Sequence, residues 1–230
     1  KWWKFNKHTN TKNKNLEQVA NLCIHFSNKK NKNKSDLTLD VNFKIIEKLT
    51  FIDYLKKGMQ IALTIGIDFS ASNKNYHTIS NKLNDYEKAI KYCGQILAYY
   101  DSDQVYPVYG FGAKVLNSKI TDHCFHVNLN KDPFISKISN VLKSYRRCFN
   151  HIKPDGPTNL SFILDKTIEE TKKKIKNVKN NEESINLEYT VLLLLTDGQI
   201  SDMEKSVESV ITATNYPISI VIIGIGDGNF

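Results

Sequence analysis

No stretch of this sequence approaches the ~18–20 consecutive apolar residues that a membrane-crossing helix needs, so no such span is expected. The first residues lack the apolar core of a secretory leader. Cysteine is scarce: Cys23, Cys93, Cys124 and Cys148 are scattered and form no CxxC pair. A chain of 230 residues can build a hydrophobic core without disulfide staples, so a reduced, intracellular protein is the expectation. Missing too are a complete GxGxxG dinucleotide loop, the second aspartate of a DxD phosphotransfer motif, and any nucleic-acid recognition motif.

Acidic residues are under-represented, with 32 Lys+Arg against 24 Asp+Glu and a formal net charge of +8. Such an excess suggests an anionic partner only once it has been located. Residues 1–60 hold 13 lysines and five acids (Glu17, Asp36, Asp40, Glu47, Asp53), a net of +8, while residues 61–230 balance 19 basic against 19 acidic residues. The Lys/Asn tracts within residues 1–34 offer too little apolar surface to offset the entropy of ordering, and are expected to be loops or disordered. Between them LEQVANLCIHFSN has some apolar content. Leu37, Leu39, Val41, Phe43 and Ile45 then alternate as in a strand with one buried face, and residues 51–55 read as a short helical lead-in.

From residue 61 the pattern changes. IALTIGID (61–68), YTVLLLLTDG (189–198) and PISIVIIGIGDG (217–228) are apolar without alternation, as in strands buried on both faces. QVYPVYGFG (104–112) is a further strand, with Pro107 arguing for an exposed edge or bulge. HCFHVNLN (123–130) fits a short strand. Helical spacing covers residues 83–100, 134–149, 159–176 and 201–215, the last with Ser201 as cap and Glu204 at the capping-box position, and residues 176–184 read as a polar loop. The fold class expected is α/β: a mostly parallel central sheet with helices on both faces. Ligands of such sheets bind beyond the carboxyl ends of the strands. The sequence stops directly after a core strand, where a covering helix is normally needed, so a piece truncated at its C-terminus is expected.

Asp68-Phe69-Ser70-Ala71-Ser72 ends the first of these strands and offers one carboxylate and two hydroxyls at alternate positions. Asp197 ends another, and Asp155-Gly156-Pro157-Thr158-Asn159 supplies a threonine loop that opens a helix. Two carboxylates facing each other at a sheet edge repel unless a cation lies between them. Carboxylate and hydroxyl oxygens suit hard divalent ions such as Mg²⁺ or Mn²⁺. Asp and Ser also cap helices at strand-to-helix turns, so DxSxS alone has a plain structural reading. Other features read blandly: His123 and His126 as strand and surface histidines, Arg146-Arg147 as a solvated helix face, the Asn159 sequon as unused, and Trp2-Trp3 as packing residues.

DxSxS, a GPTN-type threonine loop and a strand-terminal TDG, in this order, resemble the metal-ion-dependent adhesion site (MIDAS) of von Willebrand factor A domains. FIDYLKKGMQIALTIGIDFSASN, YDSDQVYPVYGFGAKV, GPTNLSFIL, LLLLTDGQISD and IGIGDGNF are similar to the A domain of copines, with GFGA (110–113) a feature of that family. The resemblance covers about residues 43–230. It implies that residues 1–42 are the end of a preceding C2 domain and a linker, and that residues 43–230 are an A domain incomplete at its C-terminus. It implies metal ligation by Asp68, Ser70, Ser72, Thr158 and Asp197, with the serines direct and the others direct or through water. Mg²⁺ or Mn²⁺ is the ion expected, with Ca²⁺ the alternative. The open coordination position would take an acidic group of a protein partner, which is binding and not catalysis. The resemblance further implies calcium-dependent binding of anionic phospholipid by C2 domains of a longer protein, and a cytoplasmic location with peripheral attachment to the plasma membrane. No catalytic residue and no nucleic-acid partner are expected. The alternative reading is attachment to an anionic membrane surface through the basic N-terminal segment, since clustered lysines are worth about 1 kcal/mol each there.

Overall fold

A computed structural model describes residues 17–26, 37–46, 50–116, 118–180 and 188–227. It divides into two units, Lys1–Tyr54 and Leu55–Phe230. In the first unit β1 (Glu17–Phe26) and β2 (Leu37–Ile46) form an antiparallel pair in register from Glu17 opposite Ile46 to Phe26 opposite Leu37. The apolar island between the Lys/Asn tracts is therefore a strand, and the tracts themselves lie outside the described residues. The short helix α1 (Phe51–Lys56) follows, its start held by the Asp53 carboxylate accepting from the Thr50 N–H at 2.9 Å.

The second unit is built on one sheet in the order β10 (Ile218–Gly224), β9 (Glu188–Thr196), β3 (Gln60–Asp68), β4 (Val105–Phe111), β6 (Phe125–His126). The first four run parallel, β6 runs antiparallel to β4, and β7 (Phe134–Ser136) pairs antiparallel with the start of β4. Helices cover both faces, and β9 shows why its sequence does not alternate. Leu193 and Leu195 join Leu63, Ile65 and Ile67 in a core with α2 (Asp85–Ala98) and α3 (Ile138–Phe149). Leu192 and Leu194 pack on the opposite side with Tyr109, Phe111 and with Leu164 and Ile163 of α4 (Ser161–Asn180). Each such side chain taken fully out of water contributes roughly 1.5–3 kcal/mol, so two faces of burial outweigh the cost of a wholly apolar strand. The small strands β5 (Ala113–Val115) and β8 (Ile152–Pro154) pair antiparallel, and α5 (Met203–Ala213) precedes β10.

Several expectations are corrected. Pro107 is buried, not at an exposed edge: it lies opposite Phe134, and the β3–β4 ladder begins one residue later, at Val108 opposite Ile65, so the missing N–H costs no bond to β3. Residues 134–136 leave the expected helix to form β7. The strand expected over 123–130 shrinks to Phe125–His126. Helix α4 runs on to Asn180, into the expected polar loop. β10 sits at one end of the sheet order and is not buried on both faces: Val221 and Ile222 are exposed. Arg146 and Arg147 are more than a solvated face. Arg146 donates to the fully buried carboxylate of Glu87, and Arg147 donates to the Asn128 carbonyl at 2.9 Å.

Candidate metal centre

The carboxyl ends of β3, β4 and β9 define one crest. β3 and β9 are direct neighbours with Ile67 opposite Leu195, which sets Asp68 beside Thr196 and leaves Asp197 at the end of the adjacent strand. Asp68 is fully buried. Its Oδ1 accepts the Ser70 N–H at 2.9 Å and its Oδ2 accepts the Thr196 hydroxyl at 2.7 Å. Burial pushes the Asp68 carboxyl up from 3.8 to about 6, only partly offset by the bonds from Thr196 and Ser70, and the negative charge of Asp197 pushes the same way. Asp197 is itself buried, and its Oδ1 accepts the Gln199 N–H at 3.1 Å.

Ser70 and Ser72 bracket the start of a 3₁₀ segment, Ala71–His77. Their hydroxyl oxygens are 3.0 Å apart, Ser70 buried and Ser72 exposed. The turn is tied to the threonine loop by the Ala71 N–H, which donates to the Asp155 carbonyl at 2.8 Å. That loop is anchored in turn by Lys114 on the Asp155 carboxylate at 2.7 Å and by the Thr121 hydroxyl on the same oxygen at 2.5 Å. On its other side Thr158 is joined to the loop after Asp197. The Thr158 N–H donates to Ser201 Oγ at 3.1 Å, and the Ser201 N–H donates to the Thr158 carbonyl at 2.8 Å. Asp68, Ser70 and Ser72 thus share one turn, and Thr158 and Asp197 sit on the two loops bonded around it.

Glycine makes the close approach of β4 feasible. Gly112 has φ +76°, and a Cβ there would lie 3.0 Å from Ser70 Cβ and 3.1 Å from Ser70 Cα and N. This gives the GFGA segment a local reason: only a residue without a side chain lets the chain turn against the serine backbone.

Ser201 is not the cap of α5. Its hydroxyl is engaged with Thr158, and Asp202 occupies the N-cap position without a side-chain cap bond. The Asp202 carboxylate reaches across to the start of α4 and accepts from Leu160 N–H at 2.8 Å and Ser161 N–H at 3.1 Å. Burial opposes its charge, but the bonds from Ser161, Leu160 and Ser206 outweigh it and hold the carboxyl below its ordinary value.

Residues that motif reading did not single out support the turn from below. His77 is fully buried, its Nε2 2.8 Å from the Asp68 carbonyl oxygen and its Nδ1 2.7 Å from Tyr145 Oη. Burial lowers it from 6.5 to about 4, so it is neutral. Its ring is stacked against Tyr86 at 4.0 Å and Phe69 at 5.0 Å. His123 and His126 do not converge: His123 meets Asn159 and Phe162, and His126 meets the Asn130 carbonyl and Tyr109.

The crest offers two carboxylates and three hydroxyls within a bonded framework. Among the described residues no group of three His, Cys, Asp or Glu side chains converges that could hold a metal ion; the candidate donors at the crest are oxygen atoms, most of them hydroxyls. Its chemistry fits a hard divalent cation. A buried carboxylate raised by desolvation and by a second carboxylate is a charge without a counterion, and a cation bound there would relieve it.

Comparison with known proteins adds the following. The sequence pattern of the copine family matches residues 75–230, more than half of the chain. The chain is similar in fold to the manganese-loaded crystal structure of the TRAP protein of Plasmodium vivax, at 17% identity and a TM-score of 0.43, over 74% of this chain and 58% of that one. It is also similar to proximal thread matrix protein 1 of the mussel byssus, at 16% identity and a TM-score of 0.42, over 74% of this chain and 39% of that one. The chain thus spans less than two thirds of the length of either.

Proposed function

Because the chain belongs to the copine family, we propose that this protein-interaction module works through a divalent cation held at the crest by Asp68, Ser70, Ser72, Thr158 and Asp197. The observation that carries this reading is the buried carboxylate of Asp68 at the end of β3, bonded to Thr196 and Ser70, with Asp197 at the end of the neighbouring strand. A bound Mg²⁺ or Mn²⁺ supplies positive charge and a coordination position for a carboxylate oxygen of a partner protein. The chain's own residues do the rest. Ser70 and Ser72 present neutral oxygens, which would leave the cation a coordination position for the carboxylate oxygen of an acidic side chain. Asp68 and Asp197 provide the negative charge that retains it. Asp155 holds the Thr158 loop against the DxSxS turn, and Ser201 ties it to the loop after Asp197. We read the domain as a receptor rather than an enzyme, its donor set offering a coordination position for a partner's carboxylate.

In the longer proteins of this family we place the domain beside modules that bind anionic phospholipid in a calcium-dependent way, which puts the protein in the cytoplasm and at the inner surface of the plasma membrane. The segregation of the whole +8 into residues 1–60 supports a second reading, direct attachment of that segment to anionic lipid. Sedimentation with phosphatidylserine vesicles at low and high salt separates the two: binding that survives deletion of residues 1–42 excludes the second.

The metal reading is tested by calorimetric titration with MnCl₂. The wild-type chain is expected to bind one ion, and Asp68→Ala to lose that binding with unchanged circular dichroism. Equal binding by the two proteins refutes the site.

A further inference from the structure

Asn73 follows the second serine of the DxSxS turn and is fully buried. Its Nδ2 donates to Ser70 Oγ at 2.9 Å and approaches Ser72 Oγ at 3.5 Å. Its Oδ1 accepts from the hydroxyl of Tyr86, a residue of α2 that is also fully buried. A primary amide has one end that only donates and one that only accepts, so its orientation decides what the serine oxygens meet. Here the Tyr86 hydroxyl donates to Oδ1, and the NH₂ end faces the serine oxygens. Burial, reinforced by the charges of Asp68 and Asp197, keeps its hydroxyl protonated. The ring cannot readily swing away, because it is stacked on His77 with an interplanar angle of 17°, and both nitrogens of His77 are engaged.

The geometry points to Asn73, aimed by Tyr86, as the positioning residue of the cation site. By donating to Ser70 Oγ, the amide occupies one of that hydroxyl's two lone pairs and leaves the other, with its proton, to its remaining partners, Ser72 Oγ at 3.0 Å among them. The hydroxyls are thus ordered in advance, and the entropy of aligning them is not lost when an ion arrives. This rests on the metal reading above and adds to it which residues set the affinity. Outer partners of this kind typically change metal affinity 10–100-fold when removed.

The test is a double-mutant cycle on the full chain, with Mn²⁺ affinity measured by calorimetry and melting measured separately in EDTA. Tyr86→Phe keeps the ring stack on His77 and removes only the hydroxyl. Tyr86→Phe and Asn73→Ala are each expected to weaken Mn²⁺ binding about tenfold or more. The double variant is expected to lose no more than Asn73→Ala alone, because Tyr86 acts only through the amide. A merely structural role lowers the melting temperature in EDTA and leaves the affinity of the folded protein unchanged. Wild-type affinity in Tyr86→Phe overturns the proposal, as do losses that simply multiply in the double variant. If Asn73→Ala does not fold, Tyr86→Phe alone decides. Failure of the wild-type chain to bind Mn²⁺ is a different result: it refutes the metal reading and this inference with it.

Discussion

Replacing Asp68 by Asn is expected to stabilise the metal-free protein. A carboxyl raised from 3.8 to about 6 by folding costs about 3 kcal/mol when it is ionised. The Asn side chain keeps an oxygen for the Ser70 N–H, but its amide faces the Thr196 hydroxyl, which must turn to accept instead of donating. That rearrangement costs about 1 kcal/mol. The net gain at pH 7.5 is about 2 kcal/mol, or about 4–8 °C in melting temperature for a chain of this size. The sign depends on pH. A carboxyl whose folded value lies above its unfolded value contributes stability that is complete below 3.8 and lost as pH rises through about 6. The advantage of Asp68→Asn should therefore shrink as pH falls through 6 and reverse near pH 4. The wild-type profile alone does not reveal this. His77 runs the opposite way, its folded value lowered from 6.5 to about 4, so its contribution is present above 6.5 and lost as pH falls toward 4. The difference between the two proteins isolates Asp68. Scanning calorimetry in EDTA between pH 4 and 7.5 measures it. With Mn²⁺ at 100 times its dissociation constant the wild type should gain about 2.7 kcal/mol and overtake the variant. A variant no more stable than wild type at pH 7.5 in EDTA, or one stabilised equally by Mn²⁺, refutes the reasoning.

Gly112→Ala should cost about 1–3 kcal/mol in urea unfolding, since it places a side chain at φ +76° against the Ser70 backbone. Ser201→Ala removes the acceptor of the Thr158 N–H and should weaken Mn²⁺ binding about fivefold, the equivalent of about 1 kcal/mol. Asp202→Ala strips the start of α4 of its acceptor and should cost about 1–2 kcal/mol, seen as a lower urea midpoint at unchanged slope.

Much of the second unit was legible because its signals are local. A parallel strand covered on both faces has to be apolar throughout, and β3 and β9 read that way. The residues proposed to hold the cation are local in the same way: Asp68, Ser70 and Ser72 sit in one turn, and Thr158 and Asp197 in two others. What failed was whatever depended on competition between distant partners. Ser201 and Asp202 both suit a helix start, but one is taken by Thr158 and the other by the amides of α4. Phe134 and Ile135 suit the first turn of a helix, and β4 captures them instead. A lone histidine carries no sequence signal that it will lie under Asp68 and meet Tyr145, 68 positions away. An apolar run does not say whether it ends in the middle of a sheet or at its margin, which is why the exposure of β10 was missed.

That margin has a practical consequence. β10 reads Ile-Ser-Ile-Val-Ile-Ile-Gly, with no charge and no proline, and among the described residues no strand pairs with its outer side. Such a segment is a template for adding strands from other chains, the step that begins cross-β aggregation. A concentrated solution of this chain should therefore self-associate through Ile218–Gly224, and a single Val221→Lys change on its exposed surface should raise the concentration at which it stays clear.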